Sequence, residues 1–295
     1  EYHDFPIVEW TVFFKNTRAA DRVRRGSPDP AETADRRSPS QPEPCKQIVV
    51  GDTPILEDIL ALDIPFYRTG SGEFVLHHNV GSLCTPNDFQ PLETVLKPGN
   101  SKRITAAGGR PTNSDLPYFN LAWPGQGVIL AVGWPGQWAA EFARDPGEAL
   151  HIRAGQELTR MKLAPGEEIR TPLIVLQFWK GDRVHSQNVW RQWMLAHNTP
   201  HPKGKVPPTH VAACSSHQFG EMINADEASQ KLFVDRYLEE SLKLDYWWMD
   251  AGWYWHYGGG WPRTGTWEVD PGRFPRGLRA ITDHAHKQGV KSIVW

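Results

Sequence analysis

The residues best suited to chemistry in this chain of 295 residues are concentrated between positions 247 and 270. This segment reads WWMDAGWYWHYGGGWPRTGTWEVD, and Asp250 is its first carboxylate. A carboxylate accepts hydrogen bonds from hydroxyl groups, and the flat faces of tryptophan and tyrosine pack against the apolar side of a ring. Asp250, ringed by Trp253 and its aromatic neighbours, therefore has the groups that a neutral polyol such as a sugar needs.

Several of these residues also have a structural interpretation. Asp250 can act as a cap or turn residue before Ala251, but a charge directly after YWWM needs a partner, which favours the binding role. The glycines at 258–260 indicate a turn, because no Lys-Ser/Thr pair follows them as it would in a phosphate-binding loop. Glu221 fits the role of an acidic residue at the start of a helix better than that of a ligand-binding residue.

The histidines and cysteines do not form a recognisable metal or disulfide pattern. His284 and His286 are two residues apart on a predicted helix, so they face different directions and are not a chelating pair. Cys45, Cys84 and Cys214 lie far apart and contain no CxxC spacing. We therefore expect neither a metal site nor a cofactor.

The composition narrows the class of partner. The formal net charge is −2, from 32 basic and 34 acidic residues, so no overall field would gather nucleic acid or an anionic membrane. No apolar run approaches the roughly 20 residues that a membrane span requires. The 14 tryptophans suit either sugar stacking or core packing. The composition indicates neither the cellular compartment nor the oligomeric state, and it is compatible with a homo-oligomer.

The elements that would position Asp250 follow Pro208. Apolar strands are predicted at 211–216, 245–250 and 290–295. The helix after the first strand is predicted to be capped by Asn224 or Asp226 and to present Leu238 and Leu242 on one side. Pro275 is predicted to open the second helix, with Ile281 and Ala285 on its apolar face. Strand, helix, strand, helix, strand indicates right-handed crossovers and a parallel sheet, whose ligands bind at the carboxyl ends of the strands. Asp250 and Trp295 end the second and third strands, although Trp295 equally suits simple packing. Residues 207–295 would supply about a third of a (β/α)8 barrel, which needs roughly 250 residues.

Residues 1–200 have a different pattern. Short β-rich runs at 8–14, 127–134 and 171–179 alternate with Gly, Pro, Asn and Asp, which predicts antiparallel sheets stacked in a sandwich. A short helix is predicted at 188–197, before the prolines that mark the domain boundary. Residues 18–48 are rich in Arg, Pro, Ser and acids and nearly free of apolar residues, which predicts a solvated, disordered insertion.

The chain resembles glycoside hydrolase family 36, the melibiase-type α-galactosidases. The motifs WWMDAGWY and GTWEVDPGRFPRGLRAITDHAHKQGVKSIVW are similar to the family's second and third barrel strands and the segment between them. EYHDFPIVEWTVFFKN, GDTPILEDI, AVGWPGQW and LAPGEEIRTPLIVLQFWKGD are similar to its N-terminal sandwich, in the same order. The resemblance covers nearly the whole chain except about residues 18–48, and implies a β-sandwich followed by the first three strands of a TIM barrel.

The resemblance also implies a reaction. The family's enzymes are retaining exo-glycosidases that act on terminal α-linked galactose, with one aspartate as nucleophile and another as acid/base. In the family these two aspartates follow the fourth and sixth barrel strands, so both are expected beyond Trp295. We therefore assign no catalytic residue within the chain and expect it to be inactive by itself. Two alternatives remain: a galactosyl transferase of the raffinose-synthase kind, and a non-catalytic carbohydrate-binding protein.

The resemblance carries over part of the family's sugar pocket. The family's second strand ends in Asp-Asp-Gly-Trp, whereas this chain has Asp250-Ala251-Gly252-Trp253, so the first acceptor matches and the second is missing. The missing carboxylate puts unmodified galactose in doubt as the preferred sugar. Trp295 matches a pocket tryptophan, and from GWPGQW either Trp134 or Trp138 is expected at the mouth of the barrel.

Overall fold

The computed structural model describes residues 2–18, 51–67, 72–255 and 264–295. The predicted insertion at 18–48 and the predicted glycine turn at 258–260 lie outside these residues, apart from position 18. The chain divides into two compact units, Glu1–Thr199 and Pro200–Trp295.

The first unit consists mainly of antiparallel strands. In chain order they are β1 (Ile7–Trp10), β2 (Phe13–Lys15), β3 (Leu56–Glu57), β4 (Leu60–Tyr67), β5 (Phe74–Asn79), β6 (Pro91–Leu96), β7 (Ser101–Thr105), β8 (Tyr118–Trp123), β9 (Gln126–Gly133), β10 (Trp138–Arg144), β11 (Ala149–Gln156), β12 (Arg160–Met161), β13 (Glu168–Arg170) and β14 (Leu173–Lys180). One sheet has the order β1-β14-β9-β8-β5-β6 and the other β4-β11-β10-β7, with two small two-stranded pairs beside them.

The two large sheets share one hydrophobic core. Phe74 and Phe119 of the six-stranded sheet lie in the same buried cluster as Phe142 and Ile152 of the four-stranded sheet. Strand β5 alternates buried and half-buried residues, as expected for a strand that covers a core with one face. The predicted two-layer packing is therefore observed in this unit.

The predicted strand at 8–14 is interrupted in the structure. Strand β1 pairs with β14 in the six-stranded sheet, whereas β2 pairs with β13. The chain changes partner between them, where the N–H of Val12 donates to Thr171 Oγ1 at 3.0 Å. The apolar run continued past this point, so the sequence pattern did not reveal the change.

Helix α1 (Arg183–Trp193) covers part of the outer face of the six-stranded sheet. Its Trp193 packs with Ile7, Ala131 and Val175, which explains why the central strands are buried on both faces. Asp182 caps the helix by accepting from two backbone N–H groups. The helix begins earlier than the predicted 188–197 and runs into a π-helical turn, Met194–Asn198.

The second unit contains β15 (Ala212–Ala213), α2 (Glu227–Glu239), β16 (Tyr246–Met249), α3 (Arg279–Lys287) and β17 (Lys291–Val294). The three strands are parallel in the order β15-β16-β17, with one helix in each crossover. Each strand is shorter than predicted, above all β15. The described residues contain an open sheet of three parallel strands, and its place in a (β/α)8 barrel, which the resemblance implies, stays a prediction.

Both helices of the second unit pack on β16. Trp247 and Met249 of that strand lie in one buried cluster with Val234 of α2 and Ile281 and Ala285 of α3. The predicted apolar face of α3 is thus observed.

The helix ends differ from two predictions. Helix α3 begins at Arg279 rather than at Pro275, because residues before it form turns. Asp226 caps α2 as one of two predicted candidates, accepting from the N–H of Ser229 at 2.7 Å. Leu242 lies beyond the end of α2 and is exposed, so it does not extend the buried face of the helix.

Candidate functional site

Asp250 lies directly after β16 and is half-buried. Its Oδ2 accepts a hydrogen bond from Ser216 Oγ at 2.6 Å, and its Oδ1 accepts from the N–H of Ala251 at 2.7 Å. The bond from Ala251 is the turn role considered from the sequence, and Ser216 adds a side-chain partner. A carboxylate has about four lone-pair positions, so acceptor capacity remains for a ligand.

Ser216 was not singled out from the sequence, although a signal was present. Strands β15 and β16 pair in parallel with Ala212 opposite Tyr246, an offset of 34 residues. The same offset leads from Ser216 to Asp250, and their hydrogen bond spans 34 positions. Had the register been known, residues after the two strands could have been matched directly.

A series of buried hydrogen bonds connects the segment directly after β15 to β16. Gln230 of α2 donates from Nε2 to Ser215 Oγ at 2.6 Å and accepts from Trp247 Nε1 at 3.0 Å. Ser215, Gln230 and Trp247 are all buried. Because buried polar groups bonded in this way resist displacement, Ser215 fixes the backbone beside Ser216.

Four aromatic rings, from the turn after β16, the loop before α3 and the end of β17, form one cluster. Trp267 stacks on Trp253 with ring centroids 5.9 Å apart and an interplanar angle of 26°. Tyr254 and Trp295 each meet Trp267 edge to face, at 5.7 and 5.9 Å. Trp253 Nε1 also donates to the carbonyl oxygen of Trp295 at 3.2 Å, which ties the turn after β16 to the end of β17.

The four rings differ in how far they are exposed to solvent. Trp253 is only 5% exposed, whereas Trp267 is 51% and Trp295 48% exposed. Among the described aromatic residues of this cluster, Trp267 and Trp295 therefore present faces to solvent, and Trp253 supports them from below. Trp253 was one of the residues expected to bind a sugar, but in this cluster the exposed rings are those of Trp267 and Trp295.

Arg273 connects the loops around the cluster. Its side chain is 17% exposed, and its Nε donates to Asp270 Oδ2 at 2.9 Å. The remaining four N–H groups reach backbone carbonyl oxygens, those of Met222, Ala225, Gly252 and Tyr254. One guanidinium thus links the segment after β15 to the turn after β16.

Asp270 completes this connection. Burial raises the pKa of Asp270, but hydrogen bonds from Arg273 and from the N–H of Gly272 outweigh it, so that the pKa lies below its usual range. The N–H of Asp270 donates to the carbonyl of Trp253 at 3.1 Å. The Asp270–Arg273 pair therefore holds the loop before α3 against the aromatic cluster as an ion pair.

The turn after β16 requires a glycine. Gly252 has φ +95°, and a Cβ at this position would lie 2.6 Å from the carbonyl oxygen of Glu221. Glu221 itself is exposed within a turn, well before the first residue of α2. The acidic residue in the first turn of that helix is Glu227, which pairs with Arg276 and Lys231, so the predicted helix-entry charge belongs to Glu227.

The chain is similar in sequence to curated α-galactosidases. It is 25% identical over 180 residues to the α-galactosidase Mel36A of Lactobacillus acidophilus, a match that covers 58% of this chain. The resemblance to α-galactosidases is confirmed. The same match covers 23% of the relative, so the chain spans about a quarter of its length. No family model matches the chain.

Solved structures of α-galactosidases share its fold. The galactosidase domain of the α-galactosidase–sucrose kinase AgaSK matches with a TM-score of 0.72 at 16% identity, over 98% of this chain and 36% of that one. A variant of the GH36 α-galactosidase AgaA of Geobacillus stearothermophilus, in complex with raffinose, matches with a TM-score of 0.65 at 15% identity, over 80% of this chain and 32% of that one. The antiparallel sheets match the N-terminal domain of these α-galactosidases.

In this α-galactosidase-like chain, Trp134 and Trp138 belong to the first unit. Trp138 is fully buried in the sandwich core and donates from Nε1 to the carbonyl of Pro111 at 2.7 Å. Trp134 is half-buried, with the guanidinium carbon of Arg170 5.5 Å from its ring centroid. Trp138 is thus a core residue, and Trp134 is the member of the pair with an accessible ring.

Within the part of the chain that the structure describes, no three His, Cys, Asp or Glu side chains are arranged to hold a metal ion. His284 instead forms a hydrogen bond with Asp235, at 2.7 Å between Nε2 and Oδ1. No described helix has the length and apolarity to cross a membrane.

Proposed function

We propose that this chain is part of a retaining exo-glycosidase of the α-galactosidase kind, and that the residues around Asp250 bind its terminal sugar. One observation carries the proposal: in an α-galactosidase-like chain, a carboxylate with free acceptor capacity ends a parallel strand, and the neighbouring strand ends in an exposed tryptophan. Carboxyl ends of parallel strands are where ligands bind in barrels and open α/β sheets.

The proposed binding uses the contacts already described. Sugar hydroxyls donate to the lone pairs of Asp250 that Ser216 and Ala251 leave open. The exposed faces of Trp267 and Trp295 pack against the C–H side of the ring. The raffinose complex of a structural neighbour supports a sugar ligand for this fold.

Bond cleavage is assigned to other residues. Retaining hydrolysis needs two carboxyl groups about 5 Å apart, one as nucleophile and one as acid/base. In this proposal those carboxylates follow the fourth and sixth strands of a complete barrel, beyond residue 295, and the three strands seen here are its first three. Asp250 binds and orients the sugar without forming a covalent bond to it.

Ala251 sets the expected sugar preference. It stands where the resembling family has a second aspartate, and it is only 7% exposed. Because one carboxylate fewer faces the hydroxyls, we propose a sugar that differs from galactose at the position the missing acceptor would bind. An epimer or a modified galactoside fits this pocket.

The test is the Asp250→Ala substitution in the full-length protein. We expect kcat/KM for an α-galactoside or its epimer to fall roughly tenfold to a hundredfold, since hydrogen bonds to a charged group are lost. Asp283→Asn in α3, whose carboxylate is exposed, is the control and should leave kcat/KM unchanged. An Asp250→Ala enzyme with unchanged kcat/KM would show that Asp250 is only a turn residue.

Analysis of the products of the full-length protein distinguishes hydrolysis from glycosyl transfer. Hydrolysis releases the free sugar whether or not a second sugar is present, because water accepts the glycosyl group. Turnover that depends on an added acceptor sugar would reassign the protein to the galactosyl transferases of the raffinose-synthase kind.

A further inference from the structure

The first unit contains a cleft whose lining, among the described residues, consists of residues of that unit. It has a volume of about 500 Å³ and lies between α1 and the outer face of the six-stranded sheet. Strands β5 and β8 form its floor. Its lining includes the side chains of His77, Tyr118, Asn120, Gln187, Trp190 and Arg191.

The register of the sheet brings polar residues together on this floor. Asn120 of β8 lies directly opposite His77 of β5, and His77 lies opposite Glu93 of β6. On its other side Asn120 lies opposite Ile129 of β9. Residues directly opposite in neighbouring strands share a face, so this row runs across the outer surface beneath the cleft.

Asn120 has an unused hydrogen-bond donor. The residue is 6% exposed, and its Oδ1 accepts from Trp179 Nε1 at 3.0 Å. Within the described residues its Nδ2 has no hydrogen-bond partner. A buried donor without a partner is destabilising, and Asn120 lines the cleft, so an acceptor oxygen of a ligand would satisfy it.

Aromatic rings stand beside this donor. Tyr118, two residues before Asn120 on the same face of β8, is 44% exposed. Trp190 of α1 meets it edge to face, with ring centroids 6.3 Å apart. The open face of Tyr118 can therefore pack against the C–H side of a ring while Asn120 bonds an oxygen at its edge.

The remaining lining is mostly uncharged. Among the described residues no carboxylate lines the cleft, and its one cation, Arg191, is exposed to solvent. Burial first, and Arg183 second, lower the pKa of His77, which keeps its imidazole neutral near pH 7. Amide, imidazole and phenol groups around an apolar floor suit hydroxyl groups, and the volume accommodates one or two sugar rings.

We propose that this cleft is a second carbohydrate-binding site, in which Asn120 donates to a sugar oxygen and Tyr118 stacks on the ring. The site is independent of Asp250. Only the choice of a galactoside as the probe rests on the proposed function.

The test is calorimetric titration of the purified chain with raffinose. In an Asp250→Ala chain, where the other proposed site is disabled, saturable binding should remain. Tyr118→Ala in that background should weaken it by about fivefold or more, whereas Tyr118→Phe, which keeps the ring, should leave it nearly unchanged. Asn120→Asp retains the acceptor for Trp179 but removes the donor, and should also weaken binding.

The outcomes distinguish the two proposals. Absence of saturable binding in the Asp250→Ala chain, or binding that survives Tyr118→Ala with its circular dichroism intact, overturns the second site. Binding that Tyr118→Ala abolishes and Asp250→Ala leaves intact would support the cleft and count against Asp250.

Discussion

At the residue scale, Arg273 shows why its side-chain type matters. A guanidinium has five N–H donors in a rigid plane, and each of the five has an acceptor here, one carboxylate and four backbone carbonyls. Lysine has three donors on a flexible stem and cannot reproduce this arrangement. The five acceptors belong to three stretches of loop, so the aromatic cluster depends on a residue that forms none of its surface.

We therefore predict that Arg273→Lys lowers the free energy of unfolding by about 3 kcal/mol, because buried carbonyls and Asp270 lose partners. Urea unfolding followed by tryptophan fluorescence would measure it. Arg279→Lys is the control, since that side chain is 87% exposed and makes one surface ion pair. Equal midpoints for the two variants would contradict the role assigned to Arg273.

Glu227 provides a pH-dependent prediction. Hydrogen bonds from Arg276, and then from Lys231, lower its pKa from 4.5 to about 2. A lowered pKa in the folded state means that the ionised form stabilises the fold above the unfolded value, and that this contribution is lost as the pH falls from about 4.5 towards 2. The effect should be modest, because the Arg276 side chain is 70% exposed.

Glu227→Gln should accordingly unfold at a lower urea concentration than the parent near neutral pH, and the two should converge as the pH approaches about 2. Chemical unfolding at several pH values measures this. A difference in midpoint that does not change with pH would show that the carboxylate acts by packing alone.

At the element scale, parallel pairing brings the strand ends together. The N–H of Trp295 donates to the carbonyl of Met249 at 3.0 Å, which extends the β16–β17 ladder by one residue. Asp250 and Trp295 consequently end neighbouring strands at the same edge of the sheet. The turn after β16 must then pass close to the segment after β15. This close approach requires a residue without a Cβ at position 252, which is glycine.

Gly252→Ala should destabilise the second unit by roughly 1–3 kcal/mol, from a positive φ and a close approach to the backbone of Glu221. Gly265→Ala is the matched control: its φ is +96°, but a Cβ there would meet nothing within 4 Å. Thermal unfolding should show the larger loss at Gly252. The same loss at both positions would mean that the close contact is relieved without cost.

At the scale of the whole molecule, each unit has its own buried cluster. The chain covers 23% of the α-galactosidase that it resembles, and the proposed catalytic carboxylates lie outside it. Under the proposed function, sugar binding and bond cleavage are separable, because the proposed binding residues lie at strand ends within this chain and the proposed catalytic carboxylates do not.

We predict that purified residues 1–295 bind a sugar but release no aryl group from an aryl α-galactoside. A chromogenic assay at high protein concentration measures the release, with a complete α-galactosidase as the positive control. Detectable hydrolysis, abolished by substitution of a carboxylate in this chain, would show that a catalytic residue lies within it.

Much of the architecture could be predicted from local patterns. The runs around Val128, Ile174 and Trp247 are apolar enough to indicate buried strands, and each is a strand in the structure. Strand ends were less predictable, since hydrogen bonding ends where a partner ends. Val12 shows this, because the change of partner there depends on Thr171, 159 residues away.

The sequence alone determined that a carboxylate follows an apolar strand among tryptophans, that strands and helices alternate after Pro208, and that the motifs resemble those of α-galactosidases. Only the tertiary structure decided that Ser216 bonds Asp250, that Trp253 is buried while Trp267 is exposed, and that no described residue accepts from Asn120 Nδ2. The physical reason is that strand and helix signals are periodic and local, whereas burial and hydrogen-bond partnership depend on residues that are distant in the chain.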